Sequence, residues 1–321
     1  MNNRRKLLVA GLCMLAPDFG RAQGTKRRLV GVIRINRRNT NEAFVEPIRR
    51  EMAVLGWKEK ENVEFLFSWA DGRNDRLSEL AADLVARGVD VIVTFGDPGV
   101  RAAQKATTTI PIVGMSDDMV GGGLVQSLAR PGGNTTGISI LASDLDAKRL
   151  QVLHEAVPRA RRIGVLHDPS TGNSMPSVAA AGLTLGLELV ARAAQTGAEI
   201  DSAISALIKA RVDAVNVLAS PILNGFRTEQ IARFSRARLP AIFQWPESAE
   251  DGGLIAYGPR LSACYRQVAR LVDRVLRGVR PADLPIEQPT LFELVVNMKT
   301  AKALGIKIPQ SILVRADKVI A

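Results

Sequence analysis

Cysteine and histidine are nearly missing from this 321-residue chain, with two of each. Cys13 lies in an N-terminal apolar stretch that reads as removable. Cys264 is then alone, which excludes an internal disulfide in any redox compartment. Between Ala263 and Tyr265, in an expected helix, it reads as a packed thiol. His154 and His167 stand far apart with no cysteine near, so no metal-ligand spacing exists, and neither a metal nor another cofactor is expected. No Gly-x-Ser-x-Gly elbow or paired catalytic constellation occurs, so no catalytic residues are assigned. Gly121-Gly122-Gly123 lacks the spacing of a dinucleotide fingerprint and follows the wrong strand. The apolar run at 7–15 is too short for a mature membrane span.

Acidic residues are in deficit, 32 against 43 basic ones, for a net charge of +11. Removing residues 1–22 takes away four positive charges and one negative, leaving +8. The surplus is spread rather than clustered. Arg266, Arg270, Arg274, Arg277 and Arg280 follow one expected helix as a solvated basic face. No helix-turn-helix, zinc knuckle or aromatic stacking motif accompanies them, so nucleic acid is not an expected partner.

What is present begins with an address. Arg4-Arg5-Lys6, the apolar run and Gly20-Arg21-Ala22 form a cleavable secretory signal over residues 1–22, which predicts a periplasmic, soluble protein. The rest is long enough for two lobes. Strands are expected at 28–35, 63–69, 89–95 and 109–115, with helices at 44–55 and 76–87 between them. This is a parallel α/β pattern. It restarts at 161–168, followed by a helix at 179–186, a strand at 187–190, a helix at 200–211 and strands at 213–218 and 239–243. Segments 137–140, 253–257 and 292–297 read as crossings. The fold class is therefore two Rossmann-like parallel-sheet lobes joined by a multi-strand hinge. Residues 25–137 with 254–285 make one lobe, and 138–253 with 286–321 the other. Such a cleft suits closure on a ligand.

The most informative stretch is Val89-Asp90-Val91-Ile92-Val93-Thr94-Phe95-Gly96-Asp97-Pro98. A β-branched run ends in a tight turn, with Asp97 as expected N-cap and Pro98 as first helical residue. Ligands of open α/β sheets lie beyond the carboxyl ends of strands, which points to Thr94, Gly96 and Asp97. Asn36, in the polar segment 36–41, ends the first strand in the same way. Asp118 follows the next strand and either caps its turn or meets a ligand. In the second lobe Asp168, Ser220 and Trp245 follow three strands, and Trp245 would stack on a planar group or fill core. Asn224 bonds a ligand or caps the helix near Phe226. Tyr257, on a crossing, serves the hinge or the ligand.

Leu55-Gly56-Trp57, Ser68-Trp69-Ala70-Asp71-Gly72, Leu128-Ala129-Arg130-Pro131-Gly132-Gly133-Asn134 and Phe292-Glu293-Leu294-Val295-Val296-Asn297-Met298-Lys299 resemble one family over essentially the whole mature chain. It is the ABC-transporter substrate-binding proteins that include tryptophan- and tyrosine-binding members. The resemblance implies a type I periplasmic-binding-protein fold, no enzymatic activity, capture of a small organic solute such as an amino acid by a monomer, and delivery to a membrane permease. A ligand sensor for a membrane receptor, or an exported α/β enzyme, is the alternative. Two positions depart from the family pattern. Asp118-Met119-Val120-Gly121 stands where Asp-Pro-Val-Gly is usual, and Asp97 where threonine or serine is common. A carboxylate at 97 favours an ammonium or hydroxyl donor over a carboxylate.

Overall fold

The computed structural model describes residues 27–36, 42–172 and 174–321. The expected signal at 1–22 and most of the polar segment 36–41 lie outside them. Among the described residues the strands form two sheets, one of five strands and one of seven.

The first sheet is built by β1 (Arg28–Arg34), α1 (Glu42–Val54), β2 (Val63–Trp69), α2 (Leu77–Ala86), β3 (Val91–Phe95), α3 (Asp97–Ala106), β4 (Ile112–Ser116) and β5 (Thr135–Ser139). Its order is β2-β1-β3-β4-β5, with every pairing parallel. β3 and β4 are buried at every position, as strands covered on both faces must be, and their β-branched runs follow from that. Alternation sends Ile92 to a core with Leu84 of α2 and Ala103 of α3. Val91, Val93 and Phe95 face the other way.

The second sheet follows from α4 (Ala142–Ala156), β6 (Arg162–His167), α5 (Met175–Thr184), β7 (Glu188–Ala193), α6 (Gly197–Lys209), β8 (Ala214–Val217), α7 (Pro221–Gly225), α8 (Arg227–Arg236), β9 (Ala241–Phe243), α9 (Pro246–Glu250) and β10 (Ile255–Gly258). The chain then returns to the first sheet as α10 (Leu261–Leu276). It ends in the second with β11 (Glu293–Asn297), α11 (Met298–Leu304), α12 (Gln310–Arg315) and β12 (Lys318–Ile320). The strand order is β12-β11-β10-β9-β8-β6-β7. One face of α10 carries Leu261, Tyr265, Val268, Leu271 and Val272 into a core with Val91, Val93, Ile48 and Met52. Its arginines lie on the remaining side, as a four-residue spacing dictates.

Two expectations are corrected. Residues 254–258, expected in the first lobe, run as β10 in the second sheet, because Ile255 and Ala256 pair with Ile242 and Phe243. Residues 137–139 belong to β5 in the first sheet, and residues 293–297 are β11, so the chain passes between lobes beside these segments rather than along them. The expected two parallel-sheet lobes are present, and among the described strand pairings of the second sheet only that of β11 with β10 is antiparallel. The first and third passages are stitched together: Ser139 N–H donates to Glu287 O, and Glu287 N–H donates to Gly137 O, both at 2.9 Å.

Candidate functional site

The turn between β3 and α3 sets one wall of the interlobe cleft. Gly96, not Asp97, occupies the N-cap position, with φ of 80°, a left-handed conformation that favours glycine. This corrects the expected cap. Asp97 is the first helical residue, and its carboxylate turns sideways to accept from the Ser116 hydroxyl at the end of β4. Burial pushes its pKa up, against the Ser116 hydroxyl, Arg101 and the Asp117 amide. Thr94 also leaves the cleft. By strand alternation its side chain packs under Gly99 of α3, and its hydroxyl oxygen has no hydrogen-bond partner.

Beyond these turns the two lobes touch. A Cβ added at Gly96 would stand 2.6 Å from Pro221 Cγ, and one at Gly225 would stand 2.7 Å from Asn36 Oδ1. Asn74 donates to Ser170 Oγ at 3.1 Å. Ile222 and Phe226 of the second lobe join the core that holds Ile35 and Ala70 of the first. The described lobes are therefore closed on each other.

Between them lies a slot whose walls enclose ≈ 450 Å³ including the mouth. Of the candidates read from sequence, Asn36, Gly96, Ser220, Asn224 and Trp245 line it. Ser220 is also the N-cap of α7, accepting from the amides of Ile222 and Leu223 and donating to Asp168 at 2.8 Å. Trp245 is buried against the α10 core of the opposite lobe. Asn224 does not cap α8, whose N-cap is Phe226. Its buried Oδ1 has no partner, and neither do Asn36 Oδ1 and Gln244 Nε2. All three residues line the cavity, and buried polar atoms are ordinarily hydrogen-bonded.

The remaining candidates lie elsewhere. Asp118 accepts from the amides of Val120 and Gly121, a turn-capping arrangement, and with Asp97 it borders a separate opening near Arg101 and residues 169–172. Asp168 accepts from Ser170 and Ser220 and lies behind the slot. Tyr257 pairs with Leu294 across β10 and β11 and packs in the second lobe's core, away from the cavity, because alternation turns it to the helix-covered face.

The sequence reading missed a charged and aromatic wall. Arg34, 3 % exposed, donates to the Tyr265 hydroxyl at 3.1 Å, and its guanidinium sits 4.4 Å above the Phe95 ring. Phe95 and Tyr265 meet edge to face with centroids 5.2 Å apart. Burial pushes the Tyr265 pKa up, against Arg34. Asp117, 4 % exposed, also lines the slot, and its pKa is pushed well up by burial and by the carboxylates of Asp97, Asp146 and Asp168. Arg34 carried a sequence signal: a cation between Ile33 and Ile35 inside an apolar strand.

The family model for ABC transporter substrate binding proteins matches residues 29–320. The chain belongs to this family. Its members are solute-binding proteins, not enzymes, and the fold is that of type I periplasmic binding proteins. A tyrosine-binding protein of Clostridioides difficile (strain R20291) is 26 % identical over 293 residues, covering 88 % of this chain and 82 % of that protein. A conserved domain protein from Vibrio cholerae superposes with a TM-score of 0.83 at 28 % identity, covering 92 % of this chain and all of that one. An ABC domain from Streptococcus pneumonia in complex with L-Trp superposes with a TM-score of 0.81 at 26 % identity, with the same coverage. Among the described residues no helix is long and apolar enough to cross a membrane, and no group of histidine, cysteine and carboxylate side chains could hold a metal ion.

Proposed function

We propose that this protein is exported by its N-terminal signal, takes up an amino acid or similar small metabolite in the slot between its lobes, and delivers it to a membrane permease. The observation that carries this reading is the slot itself: aromatic walls from Phe95, Trp245 and Tyr265, with unpartnered buried polar atoms on Asn36, Asn224 and Gln244. Apolar walls with a few convergent polar groups are the usual make-up of a small-molecule site. The tyrosine-binding relative and the L-Trp complex support an amino acid as ligand. Asn36, Gly96, Ser220, Asn224 and Trp245 form the wall that meets it, together with Arg34 and Asp117. Asp97, Asp118 and Asp168 support the loops around it. Ligand binding selects the closed arrangement from an open one.

A thermal-shift screen of amino acids, purines, aromatic acids and sugars tests this. One class should raise the melting temperature of a monomeric protein, corresponding to about 2.7 kcal/mol at a hundredfold excess over Kd. A protein unmoved by every solute, yet turning over some substrate, would end the binding-protein reading.

A further inference from the structure

Asp117 is the one acidic residue among the described residues lining the slot, and the two lobes close over it. It directly follows β4 of the first lobe, and the loop after β6 of the second lobe covers it. A Cβ added at Gly172 of that loop would stand 3.1 Å from Asp117 Cβ. Closure thus strips the carboxyl of water.

The charges around it are mostly of its own sign. Asp97 faces it from the start of α3, Asp146 from α4 and Asp168 from the end of β6. The cations of α3 and α4 nearest the cluster serve its other members: Arg149 pairs with Asp146 and bonds the Tyr257 carbonyl, and Arg101 acts on Asp97 and bonds the Gly122 carbonyl. Arg34, which lines the same slot, lies over Phe95 and bonds Tyr265. His167 stands beside Asp168 and is driven toward its neutral form by burial. Asp118 spends its carboxylate on its own turn. The Thr171 hydroxyl next to Asp117 favours its ionised form, but its single proton is also within reach of the carbonyls of Asp168 and Ala219 at 3.1 and 3.3 Å, and burial with the surrounding carboxylates outweighs it. A carboxylate so enclosed needs a positive charge, either a proton or a cation brought by the ligand.

The rest of the slot leans the same way. Asn36 Oδ1 and Asn224 Oδ1 are buried acceptors with no donor. From this arrangement we infer that Asp117 is the specificity-determining residue of the site, receiving the ammonium group of the ligand and rejecting otherwise similar molecules that lack one. The inference rests on the reading of the slot as an amino-acid site. The proton that neutralises Asp117 in the closed, empty protein is released when an ammonium takes its place. A ligand without the ammonium leaves the carboxyl needing that proton.

The consequence is a reversal of sign. Affinity for an α-amino acid falls as pH is lowered, because the proton competes for Asp117. Affinity for the same molecule without its amino group falls as pH is raised, because its binding keeps or takes up a proton. Titration calorimetry of the full chain without its signal, at several pH values and in buffers of different ionisation enthalpy, reads both trends. The probes are L-tryptophan against indole-propionate and L-tyrosine against hydroxyphenylpropionate. The wild-type protein is expected to prefer the amino acid by about 10- to 100-fold, the worth of a hydrogen bond to a charged group. Asp117→Asn is expected to erase most of that preference and to flatten both pH trends, while His167 is left in place. Equal pH trends for both members of a pair in the wild type, or a preference retained in Asp117→Asn, overturn the inference. The wild-type comparison decides even where the variant does not fold. If no protein amino acid binds at all, the amino-acid reading of the slot falls and the inference falls with it.

Discussion

Gly225 of the second lobe sits directly against Asn36 of the first: a side-chain carbon placed on Gly225 would come within 2.7 Å of Asn36 Oδ1 and 2.9 Å of its Cγ. Asn36 lines the slot, and it has nowhere to retreat because it is 3 % exposed. The closeness of the lobes here therefore depends on a missing methyl group.

Gly225→Ala should hold the lobes apart without harming either. Gly225 lies in helical backbone at the end of α7, so alanine causes no conformational strain there. Ligand affinity should fall by about tenfold or more, since a ligand that selects the closed form gains less when closure is obstructed. Urea unfolding of the empty protein should be nearly unchanged. Unaltered affinity would mean that the contact yields at no cost.

Asp97 offers a test with a sign. Its folded pKa is raised by burial, so its contribution to stability is fully present below its unfolded pKa and is lost as pH rises through the folded value. The slope is at most about 1.4 kcal/mol per pH unit. Asp97→Asn keeps an acceptor for the Ser116 hydroxyl and cannot ionise. The stability of wild type relative to Asp97→Asn should therefore fall as pH rises above the ordinary carboxylate range, as read by urea melts between acidic and neutral pH. A difference that grows in favour of wild type with rising pH would refute the burial argument.

Cys264 should be chemically silent. Burial pushes its pKa up to about 12, and the residue is 1 % exposed within the α10 core. At pH 8 its thiolate fraction is about one in ten thousand, and the thiolate is the species that alkylates. Iodoacetamide should label the native protein negligibly over hours and label it stoichiometrically in denaturant. Fast native labelling would mean that α10 opens readily.

The sequence conveyed the run Val91 to Phe95, the turn at Gly96 and the helix after Pro98, because each link there is local. It did not convey that Gly96 would take the cap position, since the Ser116 hydroxyl that draws Asp97 aside lies on the next strand. Asp117 and Asp118 are adjacent and chemically alike. Only the backbone path after β4 puts Asp117 under the opposite lobe and leaves Asp118 capping its own turn. Tyr265 was hidden for a similar reason. Its helix read as a basic surface, and the apolar face that brings it to Arg34 comes from a return of the chain to the first sheet after β10. Asn36, Ser220 and Trp245 were legible by a simpler rule, because they follow strands at the ends where the lobes meet.

The pair Arg149–Asp146 makes the strongest stability prediction. Both side chains are wholly buried, in α4 where it lies on the second sheet, and they are bonded to each other. Arg149 also donates to the Tyr257 carbonyl at 3.1 Å, and Asp146 accepts from the Ala219 amide at 3.2 Å. The ion pair thus ties α4 to β10 and to the turn before α7, which carries Ser220 into the slot. Arg149→Met leaves the Asp146 carboxylate buried without its counter-charge, which should cost about 3–5 kcal/mol of unfolding free energy. Asp146→Leu combined with Arg149→Met removes both charges and should recover part of that loss. It will not recover all, because the Ala219 amide then has no acceptor, a penalty of about 1–3 kcal/mol. The double variant should accordingly melt above Arg149→Met and below wild type in urea at neutral pH. If Arg149→Met alone loses less than about 1 kcal/mol, the pair is not what holds α4 to β10 and to the turn that carries Ser220.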